Sequence, residues 1–211
     1  MKRLVVERNG TAVYDELFHV GVNVIRGENS SGKSTILNFI YYGLGGDLSD
    51  WSEIALLCTR VIVEVSLNGL VATLSREISN QNGQPMEIFG GSLEASQSAP
   101  RADWTRYPYR RSASLESFSQ ALFRLLEIPE VASDVSGNLT IHQIMRLLYS
   151  DQLSPVENLF RYEGRFDPPT LRDAIGRLLA GGYEGKLYEN DVKLRELCRI
   201  MAILHQTRAI F

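Results

Sequence analysis

Gly27-Glu28-Asn29-Ser30-Ser31-Gly32-Lys33-Ser34 fits the pattern G-x-x-x-x-G-K-[ST] without a gap, and Thr35 follows it. Each fixed position has a physical reason. The glycines allow the chain to turn so that successive backbone N–H groups face one point and cradle phosphate oxygens. A helix beginning at the loop's end adds the positive end of its dipole. The ammonium of Lys33 reaches the β- and γ-phosphates, and the hydroxyl of Ser34 serves as a Mg²⁺ ligand. A chance match in a chain of this composition has odds on the order of one in a hundred. The loop therefore predicts binding of a nucleoside triphosphate, with Gly27, Asn29, Ser30, Ser31, Gly32, Lys33, Ser34 and Thr35 as the contacts.

The flanks agree with a strand–loop–helix unit. Upstream, Leu4–Val6, Ala12–Phe18 and Val20–Ile25 read as three short strands, punctuated by Asn9-Gly10 and Gly21. The third would feed the loop. Downstream, Ile36, Phe39, Ile40 and Leu44 recur at helical spacing within Thr35–Leu44, and Gly43, Gly45 and Gly46 stop the helix. Two further strand runs, Arg60–Leu67 and Leu70–Ile78, are joined by a second Asn-Gly turn at Asn68-Gly69. Residues 79–112 are rich in Gly, Ser, Pro, Asn and Gln and read as loop, with one short strand over Met86–Phe89. Helices are expected over Leu115–Leu126, Thr140–Leu148 and Thr170–Leu179, the last begun by Pro168-Pro169 and stopped by Gly181-Gly182. Beyond Gly185 there is no Gly or Pro. Leu187, Leu194, Leu197, Met201, Leu204 and Phe211 fall on a 3,4 spacing that Asn190 and Arg208 interrupt. Such spacing marks the first heptads of a coiled coil, and equally an amphipathic helix packed on its own domain.

Composition sets bounds on function. The 211 residues are 44% apolar and 22% charged, ordinary values for a folded domain. The formal net charge of −3 excludes a uniformly basic nucleic-acid coat. Two cysteines, Cys58 and Cys198, cannot build a disulfide framework and suit a reducing compartment. His19, His142 and His205 stand apart from the cysteines and give no metal-ligand spacing. Neither a signal peptide nor a membrane span is expected, so the chain reads as cytoplasmic.

The first 46 residues, MKRLVVERNGTAVYDELFHVGVNVIRGENSSGKSTILNFIYYGLGG, resemble the N-terminal lobe of SMC/RecN-type ATPase heads, relatives of the ABC transporter ATPases. Asn23-Val24-Ile25, Asn29, Ser31–Leu37 and Leu44-Gly45 stand where that pattern wants them, while Ser30 replaces a usual glycine. The resemblance weakens to residue 90 and returns around 140–185. It implies an α/β P-loop NTPase lobe with an antiparallel β flank, occupying residues 1–183, and a coiled-coil arm starting at 184. It further implies ATP and Mg²⁺ as cofactors. Gln152, in Leu147-Leu148-Tyr149-Ser150-Asp151-Gln152, looks like the glutamine that touches Mg²⁺ and the attacking water. Arg8 and Asn9 would approach the nucleotide from the first turn. More loosely, YSDQLSPVENLFRYE and RFDPPTLRDAIGRLL, within Leu139–Arg195, resemble SMC-like subunits of prokaryotic defence systems of the Lamassu type.

Two elements of a working head are missing from the sequence. Val61-Ile62-Val63-Glu64 has too few apolar residues for a Walker B strand, and Leu179-Ala180-Gly181-Gly182-Tyr183 reads as a helix stop rather than a signature loop. The expected partner is therefore a second head, with a C-terminal lobe or partner chain supplying both elements. DNA is the other expected partner. Arg106, Arg110 and Arg111 interleave with Trp104, Tyr107 and Tyr109, with Arg101 nearby and Lys2 and Arg3 as further basic candidates. No membrane partner is expected. A P-loop kinase of a nucleotide or small molecule, and a nucleotide-gated assembly subunit that never hydrolyses ATP, are the alternatives.

Overall fold

The computed structural model describes residues 1–48, 50–112, 114–128, 132–133, 137–150, 169–181, 190, 193–194, 197–198 and 200–201. The chain divides into two compact units, one made of Met1–Ile128 with Thr140–Arg161, the other of Pro129–Leu139 with Tyr162–Phe211.

The first unit is built on a six-stranded antiparallel sheet: β1 (Arg3–Arg8), β2 (Thr11–Leu17), β3 (Arg60–Leu67), β4 (Leu70–Glu77), β5 (Met86–Phe89) and β6 (Trp104–Tyr107). The spatial order is β2-β1-β3-β4-β5-β6. Both Asn-Gly pairs make the hairpins expected of them. Asn9 and Gly10 have φ of 51° and 81°, and Asn68 and Gly69 have 48° and 82°, so both central residues of each turn are left-handed. That geometry matches the right-handed twist of the strands it joins. Thr59 pins the first turn from β3's side, its hydroxyl accepting the Asn9 N–H at 3.1 Å and donating to Glu7 O at 3.1 Å.

Alternation along β3 buries Val61, Val63 and Val65 on one face. On that face lies α1 (Lys33–Gly43), which turns Phe39, Tyr42 and Gly43 toward the sheet and buries Tyr41 elsewhere, beside Tyr149. The helix comes close because Gly43 has no side chain; a Cβ there would collide with Val63 and lie 3.0 Å from Val61 Cγ1. Trp51 closes the layer, its ring 5.5 Å from Phe39 and 5.0 Å from Tyr42 between centroids. Glu64 points to the opposite face, where it accepts the N–H of Leu93, the first residue of α2 (Leu93–Ser98), at 2.8 Å.

Besides the expected strand β5, three elements occupy the stretch 79–112 that composition marks as loop. They are α2, a 3₁₀ turn at Arg101–Asp103, and β6. Gly, Ser and Gln weaken local propensity there, yet pairing with β5 overrides it: Glu87 faces Arg106 and Phe89 faces Trp104 across the ladder.

Two helices complete this unit, α3 (Phe118–Leu125) and, further along the chain, α4 (Ile141–Leu148). Each opens with a capping box, Ser117 with Gln120 and Thr140 with Gln143. They are joined where the Ile141 N–H donates to Ser119 Oγ at 3.2 Å. In the second unit, Ala132–Ser133 (β7) pairs with Gly137–Asn138 (β8), and α5 spans Pro169–Leu179. Its last turn closes at Gly181, φ 69°, whose N–H donates to Leu178 O at 3.1 Å, the helix stop that the sequence indicates. Asn190, Leu194, Leu197 and Met201 of the heptad positions are helical, and the three apolar ones are exposed. Leu187, Leu204, Arg208 and Phe211 lie outside the described residues.

Arg76 holds the first unit's core together. It is 1% exposed, opposite Val61 in the β3–β4 register, and so on the face that carries α1. Its guanidinium donates to Tyr42 O and Gly46 O, both at 2.8 Å, and to Gln84 O at 3.2 Å. The cation also lies 3.8 Å from the Tyr42 ring centroid and 4.9 Å from that of Phe118. Burial pushes its pKa down, and nearby tyrosines and Asp47 act against that. Arg76→Met keeps most of the stem but leaves the Gly46 and Gln84 carbonyls without this donor. Loss of about 2 kcal/mol of unfolding free energy is expected in chemical denaturation. A variant as stable as the wild type would remove Arg76 from that role.

Candidate functional site

The segment entering the glycine loop differs from the expected third strand. Residues 18–28 pair with no strand among the described residues. The β1–β2 ladder ends where the Phe18 N–H donates to Lys2 O at 2.8 Å. Gly21 then takes φ 98°, and the Asn23 side chain gathers the turn. Its Oδ1 accepts the His19 N–H at 3.1 Å, and its Nδ2 donates to His19 O at 2.9 Å and Gly21 O at 3.2 Å. Val20, Val22 and Val24 consequently stand exposed, at 102%, 83% and 70%. The alternation is that of a strand; a strand also needs a neighbour for its N–H and C=O groups, and within the described residues none is alongside.

The loop itself is bent by two left-handed residues, Ser30 at φ 64° and Gly32 at φ 87°. Serine carries a steric cost there that glycine would not. The Ser31 N–H donates to Glu28 O at 3.3 Å, closing the bend. A Cβ on Gly27 would meet the Ser31 hydroxyl, which would have to turn away to make room. Lys33 folds back over the loop, its Nζ donating to Gly27 O at 2.9 Å and to Glu28 O at 2.6 Å.

Helix α1 starts from Gly32, which has no side chain to cap it, and its first turn contains no acidic residue. The N–H groups of Lys33, Ser34 and Thr35 thus open the helix without a side-chain acceptor, at the positive end of its dipole. An uncapped helix N-terminus, a cramped glycine and a lysine held by neutral carbonyls form a donor set suited to an anion with several oxygens. A phosphate makes stronger, charge-assisted bonds to the ammonium than the two carbonyls do. Ser34 is exposed at the helix start, where its hydroxyl suits a Mg²⁺ bound to the same phosphates. Asn29 is exposed on the loop's rim, and Glu28 beside it faces solvent.

The other residues singled out from sequence sit elsewhere. Arg8 ends β1 and Asn9 opens the first turn, both exposed and tied to Thr59 and Cys58 rather than to the loop among the described residues. Gln152 lies outside the described residues. Arg106 is on β6, and Arg110 and Arg111 follow it, all exposed. The strand β6 is the opposite edge of the sheet from β2, five strand spacings or about 24 Å away. Arg101 is committed to Glu87 at 2.5 Å, and Arg3 to Asp15 through two bonds of 2.7 Å.

The aromatics of that stretch are packed into the fold. Trp104 lies against Phe89, and Tyr109 sits between Phe118 and His142 while donating to Asp47 Oδ2 at 2.9 Å. Burial and the Asp47 carboxylate push the Tyr109 pKa up, so its hydroxyl stays a donor. The arginines, not the rings, are what this edge exposes. The contacts sequence reasoning did not foresee are those of Asn23, which matches the family pattern and also shapes the approach, and of Asn38, Tyr41 and Tyr149, which join α1 to the end of α4. Asn and Tyr in amphipathic segments carry no signal of their own until the contact exists.

No group of His, Cys, Asp and Glu able to hold a metal ion occurs among the described residues, and none of their helices is long and apolar enough to cross a membrane. Comparison with curated proteins gives no match. A family model described as an AAA domain matches residues 16–167, which takes in the approach segment, the glycine loop, α1, strands β3 to β6 and the helices α2 to α4. The match covers more than half of the chain, and with it comes nucleotide binding of the ATPase type. The chain belongs to the AAA domain family.

Proposed function

We propose that this chain is the ATP-binding lobe of an SMC-like ATPase head that closes on a second head and engages DNA. The observation that carries the reading is the start of α1: an uncapped helix N-terminus, preceded by a tight glycine loop and overhung by Lys33. In this reading the loop amides and Lys33 hold the β- and γ-phosphates of ATP. Ser34 and Gln152 hold Mg²⁺, and Gln152 orients the attacking water. Bound Mg²⁺ would neutralise phosphate charge as it develops during transfer. The general base and signature loop come from a second lobe, whether a further part of the same protein or another chain.

The exposed valines support a composite head. Val20, Val22 and Val24 form an alternating apolar run immediately ahead of the loop, and a strand from a second lobe would give their backbone its missing partner. Docking such a strand would also set the loop's entry angle, making nucleotide chemistry conditional on assembly. DNA engagement rests on Arg106, Arg110 and Arg111, exposed beside the β6 edge. Defence against phages and plasmids is the pathway that the Lamassu-type resemblance favours, with DNA repair and genome maintenance as neighbouring roles.

Two experiments test this reading. Lys33→Ala should abolish Mg-ATP binding in titration calorimetry while leaving the unfolding transition in place; retained affinity would refute the assignment of the loop. Replacing Arg106, Arg110 and Arg111 together by Ala should lower DNA affinity at least tenfold and flatten its dependence on salt by about three phosphate contacts. Equal affinity and slope in the triple variant would remove DNA from this edge.

A further inference from the structure

The chain enters the glycine loop beside the point where it leaves it. Gly27 opens the loop, and its carbonyl takes the Lys33 ammonium at 2.9 Å. A Cβ built on Gly27 would meet the Ser31 hydroxyl and lie 3.8 Å from Lys33 Cγ. The first residue of the loop therefore lies against the first residue of α1, and the residue before Gly27 stands at the rim of the same site.

That residue is Arg26. It is exposed, and its guanidinium has no hydrogen bond, ion pair or ring contact among the described residues. Arg3, Arg101 and Arg124, by contrast, are each held by a carboxylate, from Asp15, Glu87 and Glu116. Glu28, two positions on and also exposed, makes no ion pair with Arg26. The backbone at Arg26 is held on both sides, since Ile25 before it is half-buried and Gly27 after it is fastened by Lys33.

The charge of the rim depends on this residue. Over residues 27–36 the only charged side chains are Glu28 and Lys33, which cancel, and the first turn of α1 has no acidic residue. Arg26 thus supplies the net positive charge at the entry to the loop. Its guanidinium is a planar fork able to give two parallel bonds to a phosphate, whereas the Lys33 ammonium acts as a point charge.

We propose that Arg26 is a phosphate-binding residue of this site, gripping the terminal phosphates of a nucleoside triphosphate from the entry side while Lys33 holds them from the helix side. The inference rests on the reading of the loop as a nucleotide site. A contact to phosphate is indifferent to the base and strengthens with the charge of the polyphosphate chain.

The test compares the wild-type chain with Arg26→Gln and Arg26→Lys, titrated in Mg²⁺ with ATP, with ADP and with tripolyphosphate, which has no base or sugar. Thermal unfolding is followed beside the titrations. Arg26→Gln should bind ATP and tripolyphosphate about tenfold more weakly and ADP about threefold more weakly, with an unchanged unfolding midpoint. The loss should shrink as salt is added. Arg26→Lys should recover part of it, restoring the charge without the fork. Wild-type affinity in Arg26→Gln, or a loss for ATP that tripolyphosphate does not share, would overturn the phosphate contact while the reading of the loop stands. A wild-type chain that binds no Mg-ATP, or binds it equally well after Lys33→Ala, would instead take down the functional reading, and this inference with it.

Discussion

The guanidinium of Arg76 is the joint on which the nucleotide-binding unit is organised. It carries a full charge into a core where no carboxylate among the described residues is hydrogen-bonded to it, and three backbone carbonyls with two aromatic faces take the place of a counterion. Two of those carbonyls, Tyr42 O and Gly46 O, belong to the end of α1 and the turn that follows, where the helix dipole is negative. The same interaction thereby joins β4 to α1 and to the segment around Gln84. Because Gly43 lets the helix lie directly on Val61 and Val63, the position and direction of α1 are set from its C-terminal end.

That arrangement leaves the other end of α1 free to serve chemistry. The helix is anchored by Arg76, Trp51 and the valines of β3, and its N-terminus projects with uncapped amides into the loop Gly27-Glu28-Asn29-Ser30-Ser31-Gly32. The loop has few interactions of its own, chiefly those of Ser31 and Lys33 with the carbonyls of residues 27 and 28. Such neutral contacts yield readily to a charged ligand. Stability therefore resides at one end of the helix and exchangeable polar groups at the other, with the Tyr149 contact on Asn38 between them.

How far the fold can be read from the chain varies with the kind of signal. Both Asn-Gly hairpins, the alternation of Arg60–Leu67, the two capping boxes and the glycine stop after α5 are local, and local rules find them. The segment 79–112 fails those rules because its strand β6 exists only by pairing with β5. Val20–Ile25 fails in the opposite sense: its local pattern is that of a strand, but no described strand lies beside it. Alternation reports a preference for burial on one face, while a strand is a relation between two segments, and one segment cannot report its neighbour.

The candidate site divides along the same line. Gly27, Gly32, Lys33 and Ser34 are legible because the chemistry needs contiguous residues at fixed spacing, which sequence order alone supplies. The amino-acid sequence by itself determined the glycine loop, the hairpins and a helix after the loop, read over Thr35–Leu44 and found over Lys33–Gly43. Tertiary structure decided that Arg76 lies under the far end of that helix, that α4 returns antiparallel along it, and that Tyr149 meets a residue 111 positions earlier in the chain. It also placed Arg106 on the edge of the sheet remote from β2. Such contacts are set by how helices and strands pack against one another. Their residues are ordinary Arg, Asn and Tyr whose roles do not exist until the packing brings them together.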